Sequence, residues 1–219
     1  MEQFVRVTGT AAVLLRPNID TDQIIPAGEL IRAGREGHAA SLFAGWRYFE
    51  GRRENLEFLL NREPWRHAMI LLAGPNFGCG SSREAAVWAL RQYGFRSVIA
   101  PSFGGIFYNN CFRNGVLPVE LDLPTVRRLA GQVETSQGRA AITVDLEAGI
   151  VLAPDGERIP FRVSRPNREM LLSGLDQVDL TLRHADAIAA FRVADHARRP
   201  WAYQTGESGT TVRRGDQRS

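Results

Sequence analysis

One stretch of the chain constrains the fold more than any other, because two apolar runs flank a glycine-rich segment and a helical pattern. The apolar runs are AMILLA (68–73) and SVIAP (97–101), and the glycine-rich segment GPNFGCGSSR covers residues 74–83. The helical pattern covers residues 83–93 and ends at Gly94, a residue type favoured after the last helical turn. Short continuous apolar runs are typical of strands buried on both faces. This order predicts a βαβ unit with a right-handed crossover.

The flanking segments extend this unit to a compact α/β domain over residues 1–197. Periodicity predicts strands at 4–15, 116–121, 141–153 and 157–163, and helices at 38–44, 54–61, 102–113, 123–133 and 185–197. Residues 198–219 are dominated by Gly, Ser, Thr and Arg. Such a composition cannot bury enough apolar surface to fold, so we predict a disordered C-terminal tail.

Composition and charge exclude several classes of protein. The 219 residues are 44% hydrophobic, which is enough for a core, and no apolar run approaches the ~18–20 residues of a membrane span. The N-terminal MEQFVRV is not followed by the apolar region of a signal peptide, and two cysteines do not make a disulfide framework. We therefore predict a cytoplasmic protein without membrane association. Five arginines and two acids from Ala197 onward account for the net charge of +3, so the body of the chain is neutral and nucleic-acid binding is not indicated.

The chain contains no lysine: all 27 basic residues are arginine. A protein without lysine cannot form a Schiff base with a carbonyl substrate or with pyridoxal phosphate. It also cannot complete a Walker A loop, whose lysine reaches the terminal phosphates. The glycine-rich segment is therefore not a phosphate loop of that kind.

Several interpretations of the glycine-rich segment remain. Ser81 and Glu84 have the S-x-x-E spacing of a helix capping box, which leaves the three glycines of the segment unexplained. The spacing fits neither a dinucleotide fingerprint nor a nucleophile elbow. A Cys79 thiolate nucleophile requires a histidine base, and nothing in the sequence places His67 nearby.

An anion site with a reactive serine is the remaining functional interpretation. The N-terminus of a helix carries partial positive charge, and glycines allow backbone N–H groups to approach a ligand closely. Arg83 adds a guanidinium that can bind a carboxylate through two parallel hydrogen bonds. Ser81 without a histidine base suits proton abstraction next to a carboxylate better than acyl transfer.

The same residues carry a resemblance to a known family. NFGCGSSREAAVWAL (76–90) resembles the signature of the aconitase swivelling domain. Further motifs resemble the small subunits of bacterial 3-isopropylmalate dehydratases, and the resemblance spans about residues 4–195. These motifs are NIDTDQIIPA (18–27), R-x-G (35–37), LFAGWRYF (42–49), YGFRSVIAPSFGGIFYNNCFRNGVLPV (93–119) and GLDQVDLTLRHADAIAAF (174–191). The resemblance implies an aconitase-like swivelling β/β/α domain around the central βαβ unit.

The resemblance also implies a function and a partner. The activity would be the isomerisation of 2-isopropylmalate to 3-isopropylmalate through the dehydrated alkene, in leucine biosynthesis. A [4Fe–4S] cluster, acting as Lewis acid on the departing hydroxyl, would belong to a separate large subunit. This chain would bind no metal of its own, which agrees with its two cysteines, Cys79 and Cys111.

Site residues follow from the resemblance by matching position. Ser81 would be the general base, while Arg83 would bind a substrate carboxylate. Ser82 would offer its amide or hydroxyl to the same anion. Arg35 would help bind a carboxylate, and Asp22 would lie at the subunit interface and orient a histidine of the partner.

One position departs from the family pattern. The family has SSREHA where this chain has SSREAA, so Ala85 stands in place of a histidine. A related hydro-lyase for another hydroxy-diacid, such as citraconate, dimethylmalate or homoaconitate, is therefore an alternative, and residues 28–38 would decide between these substrates. A non-catalytic anion-binding subunit is a second alternative, which the presence of both Ser81 and Arg83 disfavours.

Overall fold

The computed structural model describes residues 1–33, 37–81 and 83–203. They divide into two compact units: unit 1 comprises residues 1–177, and unit 2 begins at Val178. The sequence placed a boundary after residue 197 instead, and that assignment stays a prediction.

Unit 1 is built on a seven-stranded mixed sheet with the order β4-β3-β2-β1-β5-β6-β7. The strands are β1 (Arg6–Leu14), β2 (Ile70–Ala73), β3 (Ser97–Ala100), β4 (Leu117–Glu120), β5 (Ala141–Asp145), β6 (Ile150–Leu152) and β7 (Arg158–Pro160). Strands β1 to β4 are parallel, whereas β5 to β7 form antiparallel pairs. The long central strand β1 joins the two halves, because its C-terminal part pairs with β2 and its N-terminal part with β5.

The helices of unit 1 are α1 (Thr21–Ile24), α2 (Ala27–Ala33), α3 (His38–Ser41), α4 (Ala44–Arg47), α5 (Glu84–Tyr93), α6 (Gly105–Arg113), α7 (Leu123–Thr135) and α8 (Arg165–Ser173). Short 3₁₀ turns occur at Glu50–Arg52, Leu59–Asn61 and Trp65–His67. Helix α9 (Gln177–Leu182) begins at the boundary between the units, and α10 (Ala185–Arg198) follows it.

The predicted βαβ unit is confirmed as β2, α5 and the parallel neighbour β3. Every residue of both strands is buried, as expected for strands with both faces covered. The apolar face of α5 joins the main core together with the alternate residues Leu71 and Val98 of these strands. Helix α7 packs against β1, β2 and β3. The turn that joins β2 to α5 lies at the carboxyl end of the parallel strands, where open α/β sheets bind ligands.

The helix predicted at residues 54–61 was wrong. Only the 3₁₀ turn Leu59–Asn61 forms there, because the polar side chains of this segment bind backbone carbonyls instead. Asn55 Nδ2 donates to Trp46 O at 3.0 Å, and Asn61 Nδ2 donates to Arg47 O at 2.6 Å. The buried Arg47 guanidinium returns a hydrogen bond from Nε to Asn61 Oδ1. Asparagine side chains that bind the backbone compete with helix formation, and these bonds fix the segment as a loop.

Unit 2 contains α10, which matches the helix predicted at residues 185–197. The first residues of the predicted tail have regular structure: α10 ends at Arg198, and a 3₁₀ turn follows at Pro200–Ala202. Asp195 holds this turn against the helix, because its carboxylate accepts hydrogen bonds from the Arg199 guanidinium and from Tyr203 Oη. These contacts lower the pKa of the Asp195 carboxyl, with the Arg199 hydrogen bond as the main cause. The remainder of the predicted tail, residues 204–219, lies outside the described residues.

Candidate active site

The glycine-rich segment 74–83, here called the glycine loop, follows β2 and is fixed by backbone pairing on both sides. On one side it meets the loop that leads into α1. Gly78 N–H donates to Ile19 C=O at 2.7 Å, and Thr21 N–H donates to Cys79 C=O at 3.0 Å. The DTDQII motif and the glycine loop are therefore neighbours in space, although more than fifty residues separate them in sequence.

On its other side the glycine loop pairs with the turn that precedes α6. Phe77 N–H donates to Ser102 C=O at 3.1 Å, and Gly104 N–H donates to Phe77 C=O at 2.9 Å. This pairing places the N-terminus of α6 against the loop. No side chain among the described residues caps α6, and the first N–H groups of an α-helix lack intrahelical acceptors.

Close packing explains two of the three glycines of the glycine loop, which a helix cap would not require. Gly78 has φ +71°, and a Cβ there would overlap the ring of Phe107. A Cβ at Gly74 would overlap the backbone carbonyl of Arg16. Glycine is required at both positions because the loop touches its neighbours so closely, whatever ligand it binds.

A cavity of about 240 Å³ lies between the glycine loop and the N-terminus of α6. The residues that line it are Thr21, Gly78, Cys79, Gly80, Ser81, Arg83, Gly104, Gly105, Ile106 and Phe107. It combines a hydroxyl, a thiol, a guanidinium and the start of a helix in one small space. Such a set suits a small anionic ligand.

Ser81 lines this cavity and is exposed to solvent. Its backbone carbonyl accepts a hydrogen bond from Thr21 Oγ1 at 2.7 Å, and Thr21 itself is buried. The hydroxyl of a buried threonine thus anchors the backbone at Ser81 and leaves the serine side chain on the cavity wall. The sequence did not single out Thr21, although it lies within the DTDQII motif that carried the resemblance.

The predicted capping box at Ser81 and Glu84 was wrong. Helix α5 begins at Glu84, and Arg83, which has extended backbone angles, is the residue before the first turn. Ser81 therefore lies too far from the helix to cap it, and its hydroxyl is not committed to that role. The capping box occurs at α1 instead, where Asp20 Oδ1 accepts from Gln23 N–H at 2.7 Å and Asp20 N–H donates to Gln23 Oε1 at 3.1 Å.

Arg83 and Asp22 form an ion pair at the edge of the cavity. Arg83 Nη1 lies 2.6 Å from Asp22 Oδ1, with the two side chains 23% and 53% exposed. Arg83 Nη1 is buried and has no hydrogen-bond partner among the described residues, so the contact is mainly electrostatic. The structure thus brings together three of the predicted site residues, Ser81, Arg83 and Asp22. The other two, Ser82 and Arg35, lie outside the described residues.

The two cysteines have different environments. Burial raises the pKa of the Cys111 thiol well above its usual value, since the side chain lies entirely in the core. Cys79 is partly exposed and lines the cavity. His67 is not among the cavity's lining residues and lies 3.5 Å from Glu63, so it provides no base for a Cys79 nucleophile. Among the described residues, no three His, Cys, Asp or Glu side chains are grouped so that they could hold a metal ion.

Ala85, the position that departs from the family pattern, does not line the cavity. It is half-buried in the first turn of α5 and packs against the main core. The methyl group therefore leaves the described walls of the cavity unchanged.

In the part of the chain that the structure describes, no helix has both the length and the apolar character needed to cross a membrane.

Comparisons with known proteins agree with this fold. The family model described as "Aconitase C-terminal domain" matches residues 1–124, which include β1 to β4, the glycine loop and α6. The model described as "LeuD_N" matches residues 127–164. A third model, for the C-terminal domain of the 3-isopropylmalate dehydratase small subunit, matches residues 178–204. The fold and site define an aconitase-type α/β domain.

Relatives narrow this class further. The chain is 51% identical to the 3-isopropylmalate dehydratase small subunit of Cupriavidus necator, over 94% of this chain and all of the relative. It is 49% identical to the same subunit of Rhodospirillum centenum, over 92% of this chain and 99% of the relative. The crystal structure of a 3-isopropylmalate dehydratase from Methanocaldococcus jannaschii matches with a TM-score of 0.61 and 26% identity, covering 85% of this chain and 99% of that chain. The chain belongs to the family of 3-isopropylmalate dehydratase small subunits.

Proposed function

We propose that this chain is the small subunit of a heteromeric hydro-lyase that interconverts 2-isopropylmalate and 3-isopropylmalate in leucine biosynthesis. One observation carries the proposal: Ser81 and Arg83 line the same cavity, opposite the uncapped N-terminus of α6. A guanidinium and free helix N–H groups bind carboxylates, and an isopropylmalate carries two of them. The family relationship supports the same substrate.

In this proposal Arg83 binds one carboxylate and fixes the substrate against the glycine loop. Ser81 Oγ, as an alkoxide, accepts the proton from the carbon next to that carboxylate. The C–H electron pair forms the double bond as the hydroxyl leaves the neighbouring carbon, which gives an alkene and a hydroxide ion. The hydroxide becomes water by taking up a proton from solvent. Readdition of water with the two carbons exchanged gives the isomer. The positive potential of Arg83 and the helix terminus stabilises the negative charge that develops.

The described residues of this chain do not supply the group that assists the departing hydroxyl. They do not fit an iron–sulfur cluster, because Cys111 is buried in the core and Cys79 belongs to no group of three or more described His, Cys, Asp or Glu side chains that could hold a metal. We place the cluster on the large subunit, where it would act as a Lewis acid on that hydroxyl. We assign the complex to the cytoplasm, where both thiols stay reduced.

The large subunit would complete the active site. We assign Asp22 to that interface, where its carboxylate would orient a histidine of the partner, and its 53% exposed side chain supports this role. Ser82 and Arg35 complete the proposed set of substrate-binding residues. Since Ala85 does not line the cavity, the structure gives no reason to prefer another hydroxy-diacid as substrate.

The test is reconstitution with the cognate large subunit. The complex should convert 2-isopropylmalate to 3-isopropylmalate, and absorbance of the conjugated alkene would follow the reaction. Citraconate, dimethylmalate and homoaconitate should react at least tenfold more slowly by kcat/KM. Preference for one of them would refute the substrate assignment, and turnover by this chain alone would refute the shared active site.

A further inference from the structure

Helix α10 of unit 2 is exposed along its whole length, although its sequence is mainly apolar. Nine of its fourteen residues are Ala, Ile, Phe or Val, and every residue except Asp195 is exposed. Ile188 is 40% exposed, Phe191 62% and Val193 75%. At 100° per residue Ile188 and Phe191 lie about 60° apart on one face, whereas Val193 points to nearly the opposite side of the helix. A helix that is apolar on several sides is normally buried in a larger assembly.

The neighbouring elements of unit 2 extend this apolar surface. Val178 and Leu182, one turn apart on α9, are 66% and 59% exposed, and Trp201 in the 3₁₀ turn is 70% exposed. Six exposed side chains of this size offer roughly 600 Å² of mostly apolar surface, close to the ~800 Å² that each partner contributes to a standard interface. Aromatic residues are also the type most enriched at the energetic centres of interfaces.

The remaining segment of this chain is a poor candidate for covering unit 2. Residues 204–219 contain one aliphatic side chain larger than alanine, Val212, among Gly, Ser, Thr, Gln and charged residues. Such a segment offers little apolar surface to match Phe191 or Trp201.

The family matches indicate which partner covers the exposed apolar surface of unit 2. The model described as an aconitase C-terminal domain covers residues 1–124, where the candidate site lies, and its description as a C-terminal domain denotes the last part of a longer chain. Unit 2, which begins at Val178, is matched over residues 178–204 by the model for the C-terminal domain of the 3-isopropylmalate dehydratase small subunit. A domain without a covalent tether must hold its partner by non-covalent contacts. The exposed apolar side chains of unit 2 can supply such contacts.

We propose that unit 2 is a docking element for the large subunit, with Phe191 and Val193 of α10 at its centre. The proposal rests on the heteromeric enzyme proposed above and assigns a part of that enzyme's interface. The partner surface is expected to be an apolar groove that accepts a helix. Because Asp195 holds Arg199 and Tyr203 against the end of α10, the element is preorganised, which limits the entropy lost on docking.

The test is an alanine scan of three adjacent positions in the full-length chain. Phe191→Ala and Val193→Ala remove apolar surface, while Arg192→Ala is the matched control. Alanine is the best helix former, so α10 is retained in all three variants. The dissociation constant for the cognate large subunit is measured by titration, and kcat is measured at saturating large subunit. We expect at least tenfold weaker binding for F191A and V193A, with kcat within twofold of wild type, and binding within twofold for R192A.

Three results would overturn the proposal. Wild-type affinity in both apolar variants would exclude the docking role. A free chain that is a dimer by light scattering, and becomes monomeric in these variants with unchanged affinity for the large subunit, would assign the surface to a second copy. If the free variants melt at a lower temperature but bind the large subunit with unchanged affinity, the apolar surface packs within this chain instead. None of these results bears on the substrate, so failure of the proposed function would appear separately, as a bound complex without isopropylmalate turnover.

Discussion

Asp22 Oδ1 lies 2.6 Å from Arg83 Nη1 at the edge of the candidate active site. The pair joins α1 to the residue that precedes α5, across sixty-one positions of sequence. A partner that holds a guanidinium in one place also sets the direction of its free N–H groups. Asp22 therefore has two possible effects on catalysis, one through Arg83 and one through the large subunit.

Replacing Arg83 by lysine should raise the KM for isopropylmalate at least tenfold. Lysine keeps the charge but loses the planar pair of donors that binds a carboxylate. Steady-state kinetics of the reconstituted enzyme measures the effect. Arg91→Lys is the control, because Arg91 lies on α5, the helix that follows Arg83, but donates to Asn114 O and does not line the cavity. Equal KM values for the two variants would argue against a carboxylate-binding role of Arg83.

Asp22→Asn separates the two effects of Asp22 when it is combined with the Arg83 variant. If Asp22 positions Arg83, the substitution should raise KM about threefold or more in the wild-type background and leave KM unchanged in the Arg83→Lys background. An effect on kcat that persists in both backgrounds would reflect the contact with the large subunit. A fall in KM on D22N would instead show that Asp22 competes with the substrate for Arg83.

Ser81→Ala should lower kcat by about 10²–10⁴-fold, since a positioned proton acceptor contributes this much. The melting temperature should not change, because the Ser81 hydroxyl does not cap α5 and only the backbone of Ser81 is held, by Thr21. Kinetics and thermal unfolding of the same preparation provide the two measurements. Near wild-type turnover would remove Ser81 from the mechanism.

Gly78→Ala should destabilise unit 1 by roughly 2 kcal/mol or more, because Gly78 has a positive φ and the added methyl would overlap the ring of Phe107. Gly131→Ala is the matched control. Gly131 lies inside α7. Apart from its two chain neighbours and the nearby backbone of α7, no atom of the described residues lies within 4 Å of the position that the methyl would take, and alanine there should stabilise by roughly 0.5–1 kcal/mol. Urea unfolding gives both values. A neutral G78A would show that the glycine loop is looser than the structure indicates.

Iodoacetamide should modify Cys79 and spare Cys111 in the folded chain. Cys79 is partly exposed in the cavity, whereas Cys111 is fully buried and burial raises its pKa, which lowers the fraction of reactive thiolate. Mass spectrometry after timed labelling identifies the modified residue. Saturating isopropylmalate should slow labelling of Cys79 in the reconstituted complex at least fivefold. Labelling that is indifferent to substrate would place the ligand outside this cavity.

Much of the fold followed from the sequence, because its signals are local. The buried strands β2 and β3, the helix between them and the stop at Gly94 were predicted by apolar runs and by a residue type suited to a helix end. The prediction failed at residues 54–61, where the buried Arg47 and its asparagine partners outweigh helical periodicity. Helices α8 and α9 were not predicted, although Ser164 caps the start of α8 and Gly174 ends it.

By itself the sequence determined the class of chemistry. The absence of lysine excluded imine and Walker-type sites, and the glycine loop with Ser81 and Arg83 indicated an anion site beside a reactive serine. Only the tertiary structure decided how that site is assembled. In the folded chain Ser81 does not cap α5, and its backbone carbonyl accepts a hydrogen bond from Thr21. Arg83 is paired with Asp22, and the N-terminus of α6 lines the cavity. These contacts join positions far apart in sequence, such as Asp22 and Arg83, and sheet topology brings such positions together where local periodicity cannot.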